Sequence, residues 1–310
     1  MNRKQIGEVK ILARMVFYRT EEEVSFSFWY FIFFVLLQTT VLMSLVYALC
    51  YLARPDLFWV QLGSSWYLYL LYFAAIHLGL SLFEFLFHRY VLHRVFWSRL
   101  AIFKSKHTDH HSVTHVRLLQ NTVDQLGRIR IRNKYPITKP DQIESSAFPA
   151  YALIAFSGLF SFLIVPLQLV LPDLPILTVG YLAVVFSFSL YEVIHAMEHL
   201  DYNRHWKGWV ERSSFVRKIY GFHLMHHWFD KVNQAIAGFF GFPIWDWIFG
   251  TYFVPKALPL PGIETVEVIL LPPSPIRLII WIDQRVQGCE DRYIERQKKA
   301  AFLGRNRNEN

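Results

Sequence analysis

Four apolar runs in this chain are long enough to cross a bilayer, and that limits the folds open to it. A helix needs roughly 20 apolar residues to span the hydrocarbon core, and inside that core every backbone polar group must be paired within the segment. Phe26 to Leu52 contains no charged residue. Ala53 to Ser64, with Arg54, Pro55 and Asp56, breaks the run, and Ser65 to about Phe87 follows, with Glu84 in its last turns. Pro149 to Leu171 is the third run, Pro172-Asp-Leu-Pro175 a tight break, and Ile176 to about Glu192 the fourth, continuing to His199. The expected architecture is an all-α integral membrane protein forming a single membrane-embedded domain. Its four transmembrane helices, at about 26–52, 65–88, 149–171 and 176–195, pair as two hairpins. Polar stretches 92–148 and 200–287 form a cytosolic helical cap, between an N-terminal segment 1–25 and a polar tail 288–310.

The bulk numbers agree. The chain is 54% hydrophobic and 18% charged, below the roughly 25% charge of an ordinary soluble domain, and its mean hydropathy is +0.25. Its net charge of +8 could mark a nucleic-acid binder. In so apolar a chain it points instead to the cytoplasmic face of a membrane, where Lys and Arg are retained, so nucleic acid is not an expected partner. With the N-terminus inside, Arg94, Arg99, Lys104, Lys106, Arg117, Arg128, Arg130, Arg132 and Lys134 all fall inside, and the outer connections carry only Arg54. A bacterial inner membrane and the endoplasmic reticulum both fit. No short apolar core followed by a small-residue cleavage site stands near the start, so no cleaved signal peptide is expected.

Several stretches do not span. Met1 to Val24 has, in part, the spacing of an amphipathic helix. Arg128-Ile-Arg-Ile-Arg132 alternates and reads as a solvated or lipid-facing surface. Gly238 to Phe253 is aromatic but short, an interfacial or re-entrant piece. Val266 to Val286 could lie along the membrane surface, and Gly288 to Asn310 is expected to be partly disordered.

The histidines cluster. Of 13, only His77 and His205 lie outside three stretches, Glu84–His115, Tyr191–Asp201 and Gly221–Asp230. His107, His110 and His111 have the spacing i, i+3, i+4, which puts three imidazoles on one helical face. His223, His226 and His227 repeat it, and His195 and His199 are i, i+4. His88 and His93, five apart, are less comfortable on a straight helix and call for a bend near the end of the second span, or for ligands to different metals. The topology puts every cluster on one side, as one shared site requires. Two cysteines without zinc-finger spacing leave nitrogen and oxygen as the donors. Ten histidines exceed the four ligands of a tetrahedral metal and suit two metals in an all-nitrogen shell. Hydrolysis by zinc-activated water and activation of dioxygen at two irons both remain open on spacing alone.

The boxes HxxxxH (His88, His93), HxxHH (His107, His110, His111), HxxxH (His195, His199) and HxxHH (His223, His226, His227) resemble those of the fatty acid hydroxylase/sterol desaturase superfamily. Trp245-Asp-Trp-Ile-Phe-Gly-Thr-Tyr252 resembles that family's segment after the last box. The resemblance runs from about Glu84 to Phe253. It implies four membrane helices under a cytosolic cap and oxidoreductase chemistry in lipid metabolism or biosynthesis: iron- and oxygen-dependent hydroxylation or desaturation of a lipid. The ten box histidines would hold two Fe ions (zinc is the substitute a purified sample could carry), with dioxygen as co-substrate and no catalytic residue beyond the ligands. Glu84, Asp109, Glu192, Glu198, Asp201 and Asn233 are candidates to orient the rings from behind, a role carbonyls could also fill. No flavin, haem or nucleotide signature and no cytochrome b5-like module is evident. The expected electron donor is therefore a separate protein of cytochrome b5, ferredoxin or reductase type. A lipid hydroxylase of a fatty acyl chain or sterol-like substrate is the first reading and a desaturase using the same centre the second. A membrane metal transporter or metal-dependent hydrolase comes third.

Overall fold

A computed structural model of the chain describes residues 17–19, 24–123, 129–138, 142, 146, 148–149, 151–261, 265–266 and 270–308. Before the first span, β1 (Phe17–Arg19) and β2 (Val24–Phe26) pair antiparallel, with Phe17 opposite Phe26. Tyr18 therefore sits in a strand, where the spacing had suggested helix, as suits a Phe-Tyr/Val-Ser-Phe pair rich in strand formers. The rest of that amphipathic reading, residues 1–16, lies outside the described residues.

Among the described residues, four helices are long and apolar enough to cross a membrane: α1 (Phe28–Ala53), α3 (Trp66–Phe87, continued by a π turn to Leu92), α5 (Ala152–Val170) and α6 (Ile176–Glu198). The second extends past the expected end because the helix widens into that turn instead of stopping. A short helix, α2 (Pro55–Gly63), fills the first break. Ser27 caps α1, its hydroxyl accepting the Tyr30 N–H. Trp29, Phe33, Leu36, Trp66, Phe162 and Leu163 remain exposed, as side chains facing lipid do.

By contact the chain divides into two compact units. The first comprises the described residues of Met1–Phe83, Thr138–Leu200 and Ile236–Phe242. Leu80, Phe160, Ile164, Ile176, Tyr181 and Val184 are in its core. α5 and α6 pack so closely at Gly180 that a Cβ there would come within 3.0 Å of Ile164. Pro175 gives α6 no side-chain cap, so glutamines from other helices do the capping. Gln168 Oε1 accepts the Leu177 N–H at 3.0 Å and Gln61 Oε1 the Thr178 N–H at 3.1 Å, while the two amides bond each other at 3.0 Å. His77, which belongs to no box, also serves structure here. Its Nε2 accepts the Phe240 N–H at 3.1 Å and its Nδ1 meets Ser187 Oγ at 2.8 Å. The ring thereby holds the turn Phe239–Phe242.

The second unit comprises the described residues of Glu84–Ile137, Asp201–Ala235 and Pro243–Asn310. It holds α4 (Ala101–Val113), a π turn (Tyr202–Trp206), α7 (Lys207–Arg212), α8 (Ser214–Trp228), α9 (Ile244–Phe249) and α10 (Arg277–Asn308). It also holds a sheet, which corrects the all-α expectation: β3 (Val116–Val123), β4 (Ile129–Asn133) and β5 (Thr265–Val266) run in the order β3-β4-β5, antiparallel. The alternation in Arg128–Arg132 is a strand's period. Ile131 is buried while Arg130 and Arg132 face out. Gly238–Phe253 resolves into a turn and the six-residue α9, stopped by Gly250 in the left-handed region at φ 69°. The tail expected to be partly disordered continues α10 to Asn308.

Candidate metal centre

Within the second unit, eight box histidines converge. His88 and His93 flank the π turn, in which the His93 N–H bonds the His88 carbonyl at 3.1 Å. This wider turn is a bend near the end of the span, one of the two ways their spacing could be met, and it brings the two rings to 4.9 Å. On α4 the spacing works as read: the His107 and His111 rings stand 4.6 Å apart and His110 is buried beside them. On α8 the His223 and His227 rings are 4.5 Å apart, and His223, His226 and His227 are all buried. α8 can sit this deep because position 221 is glycine; a Cβ there would meet Val254 and Leu258 at 2.8 Å.

Two groups emerge. His88, His93, His107 and His226 each turn one nitrogen inward, all within 4.8 Å of one another, and His110, His223 and His227 do the same. His111 lies between them, its Nε2 3.0 Å from His107 Nε2 and its ring stacked on His227 at 4.2 Å.

The back of each ring decides which nitrogen is free. His88 Nδ1 meets the Gln234 carbonyl at 2.7 Å and His226 Nδ1 the Val232 carbonyl at 2.9 Å. A carbonyl only accepts, so both Nδ1 atoms carry the hydrogen and both Nε2 atoms present lone pairs. His88 Nε2 faces His107 Nε2 at 3.1 Å, His107 faces His93 at 3.0 Å, and His93 faces His226 at 2.9 Å. Three such contacts in a row cannot all be hydrogen bonds between neutral rings. If His107 donates to His88 and His93 donates to His226, two N–H groups point at each other in the middle. A shared cation removes the conflict, so the donor set fits a metal. Nitrogens about 2.1 Å from one cation stand about 3.0 Å apart at right angles and about 3.4 Å apart at the tetrahedral angle; 2.9–3.1 Å matches the former. Burial, then the charge of neighbouring imidazoles, pushes His93 and His107 well below the ordinary histidine range, keeping them neutral and ready to ligate.

Other residues hold these rings in place. Thr114 Oγ1 lies 3.1 Å from His227 Nδ1. The carbonyl-bearing loop Val232–Gln234 is gripped by Asp246, which accepts the Gln234 and Ala235 N–H groups at 2.9 and 2.8 Å and the Thr251 hydroxyl at 2.6 Å. Arg89 donates to the Lys231 carbonyl at 2.7 Å and binds Asp283 through two nitrogens at 3.0 and 2.6 Å. Sequence reading passed over Thr114, Asp283 and the role of Asp246, although the Trp245-Asp…Gly-Thr251 stretch was itself visible.

The residues proposed to stand behind the ligands fall in different places. Asp109 is exposed on α4, and Asp201 accepts the Arg204 N–H at 2.8 Å as a turn cap. Asn233, at φ 53°, joins the Phe222 and Phe253 backbones through its amide. Glu84 is half-buried, and Arg89 is paired with Asp283. Glu192 and Glu198 are buried on α6 in the first unit. His195 and His199 are there too, buried, with rings 4.9 Å apart at the helix end. His115 bonds the Ser112 carbonyl at 2.7 Å, and His205 is exposed.

Comparison of the chain with protein-family models, with curated proteins and with solved structures finds no match.

Proposed function

We propose that this chain is a membrane-embedded oxygenase that hydroxylates a lipid. The observation that carries the reading is the array of inward imidazoles, with lone pairs that need a cation between them, in a chain that also has membrane-length helices. The ligand set is the ten histidines of the four boxes. Two irons held by them would supply the redox chemistry that turns dioxygen on an unactivated C–H bond. The right-angle nitrogen spacing supports a metal of higher coordination number than tetrahedral zinc. The balance is R–H + O2 + 2e⁻ + 2H⁺ giving R–OH + H2O, with electrons from a separate donor protein. A desaturase would consume the same reactants, remove two hydrogens and release two waters.

The chain's own residues do the remaining work. The Val232 and Gln234 carbonyls keep the His226 and His88 protons on Nδ1 and so the lone pairs on Nε2. Asp246 and Arg89 hold the loop that carries those carbonyls. The apolar helices offer an acyl or sterol-like substrate a route through the bilayer. In this reading the N-terminus and the ten ligands are cytosolic, which the distribution of Lys and Arg supports.

The test is metal analysis after anaerobic purification, joined to mass spectrometry of lipids from membranes expressing the protein. Two irons per chain and an oxygen- and reductant-dependent gain of one oxygen in a lipid support the proposal. Loss of two hydrogens makes the enzyme a desaturase. Activity that persists in zinc without oxygen overturns both.

A further inference from the structure

The outward face of α10 fits a lipid surface. Ile279, Val286 and Glu290 are buried along one side of the helix. The acids of that side are paired inward: Asp283 with Arg89, and Glu290 with Arg94 and Lys104. At 100° per residue the opposite side carries Arg277, Leu278, Trp281, Arg285, Arg292 and Lys299. Leu278 is 53% and Trp281 55% exposed, and the Arg285 guanidinium lies 5.4 Å from the Trp281 ring centre. Charge is therefore sorted across the helix. Asp291 and Glu295 are the acids left exposed, against the cations Arg277, Arg285, Arg292, Arg296, Lys298 and Lys299. The same pairing recurs elsewhere in this unit, where Arg99 lies 5.2 Å from the ring centre of Trp97, itself 49% exposed next to exposed Phe96 and Ile102.

An exposed leucine and tryptophan in the first turns of α10, with more exposed cations than acids along the helix, suit a lipid surface. Tryptophan at the head-group level, arginine reaching to phosphate and an apolar residue at the acyl boundary are what an interfacial helix requires. We propose that α10 lies in the head-group layer of a bilayer containing anionic lipid, with Trp281 and Leu278 inserted and Arg277, Arg285, Arg292 and Arg296 on the phosphates. Each basic residue near such a surface adds attraction that fades within a Debye length. This docking is independent of the metal centre and of the reaction proposed there.

The full chain, with Cys50 and Cys289 changed to Ala, carries a nitroxide on Leu278→Cys or Trp281→Cys and is reconstituted in nanodiscs of phosphatidylcholine with or without phosphatidylglycerol. Collision with oxygen, which concentrates in lipid, is compared with collision with a water-soluble nickel chelate. We expect both labels to favour oxygen in anionic discs. We also expect that preference to fall at least threefold when Arg277, Arg285, Arg292 and Arg296 become Gln. These arginines are on the surface, and the unmutated labelled chain tests the proposal without them. A label open to the nickel chelate means the face is in water, and one shielded from both reagents means a protein covers it. Either result overturns the proposal, as does an oxygen preference that ignores the anionic lipid and the four substitutions.

Discussion

At the scale of single residues, the site depends on the direction in which each imidazole points. His226 is placed by the Val232 carbonyl behind it and faces His93 in front. His226→Ala and His110→Ala should each lower bound metal at least tenfold and abolish lipid oxidation while the protein stays in the membrane, whereas His205→Ala should change neither. Metal content and lipid mass spectrometry on the same membranes check this, and full activity in either of the first two would remove them from the ligand set. Asp246 adds a pH signature. Burial pushes its carboxyl up to about 6, against hydrogen bonds from Thr251, Ala235 and Gln234 that pull it down. A carboxyl raised on folding binds its proton more tightly in the folded state. Its contribution to stability is fully present below the unfolded value of 3.8 and is lost as pH rises through about 6. In metal-free protein, wild type should therefore gain up to about 3 kcal/mol over Asp246→Asn as pH falls from 7 to 4. Thermal unfolding of the two proteins across that range measures the difference, and the titrating histidines common to both cancel.

At the scale of elements, α10 and the π turn act together through Arg89. That guanidinium is buried one residue after His88, and it joins Asp283 on α10 to the Lys231 carbonyl that opens the loop behind His226. Asp283→Asn would leave a buried cation without its counter-charge. Asp283 is itself partly exposed, so the cost is discounted from that of a fully buried pair to about 2 kcal/mol. The mutant should unfold earlier in a thermal melt and release metal faster to a chelator, while a surface control, Asp291→Asn, should do neither. The elements differ in how far local pattern revealed them. The spans could be read to within a few residues because apolar length alone demands a membrane. The α4 and α8 triplets could be read because i, i+3 and i+4 always share a face. The π turn could be anticipated only as an unspecified bend, because its hydrogen bond runs one residue further than a helical period. The sheet was missed because β3 contains polar Arg117 and Gln120, and because β5, which pairs with β4, lies far along the chain. Pairing between distant segments leaves no local period.

At the scale of the whole molecule, the proposed orientation rests on lysine and arginine. An impermeant thiol reagent applied from outside intact cells should label a cysteine placed at Asp173, in the connection between α5 and α6, and should miss one placed at Lys106. The reverse pattern would put the histidines on the wrong side for cytosolic electron donors. Four apolar stretches and four histidine boxes are properties of composition and short-range spacing, so the chain alone dictated that it would enter a membrane and carry imidazoles in groups on common helical faces. Which nitrogen of His88 carries the hydrogen, and how Arg89 is held, depends on groups far away in the chain: Gln234 behind His88 and Asp283 beside Arg89. Those two contacts form only when segments more than a hundred residues apart pack together, so they belonged to the tertiary structure.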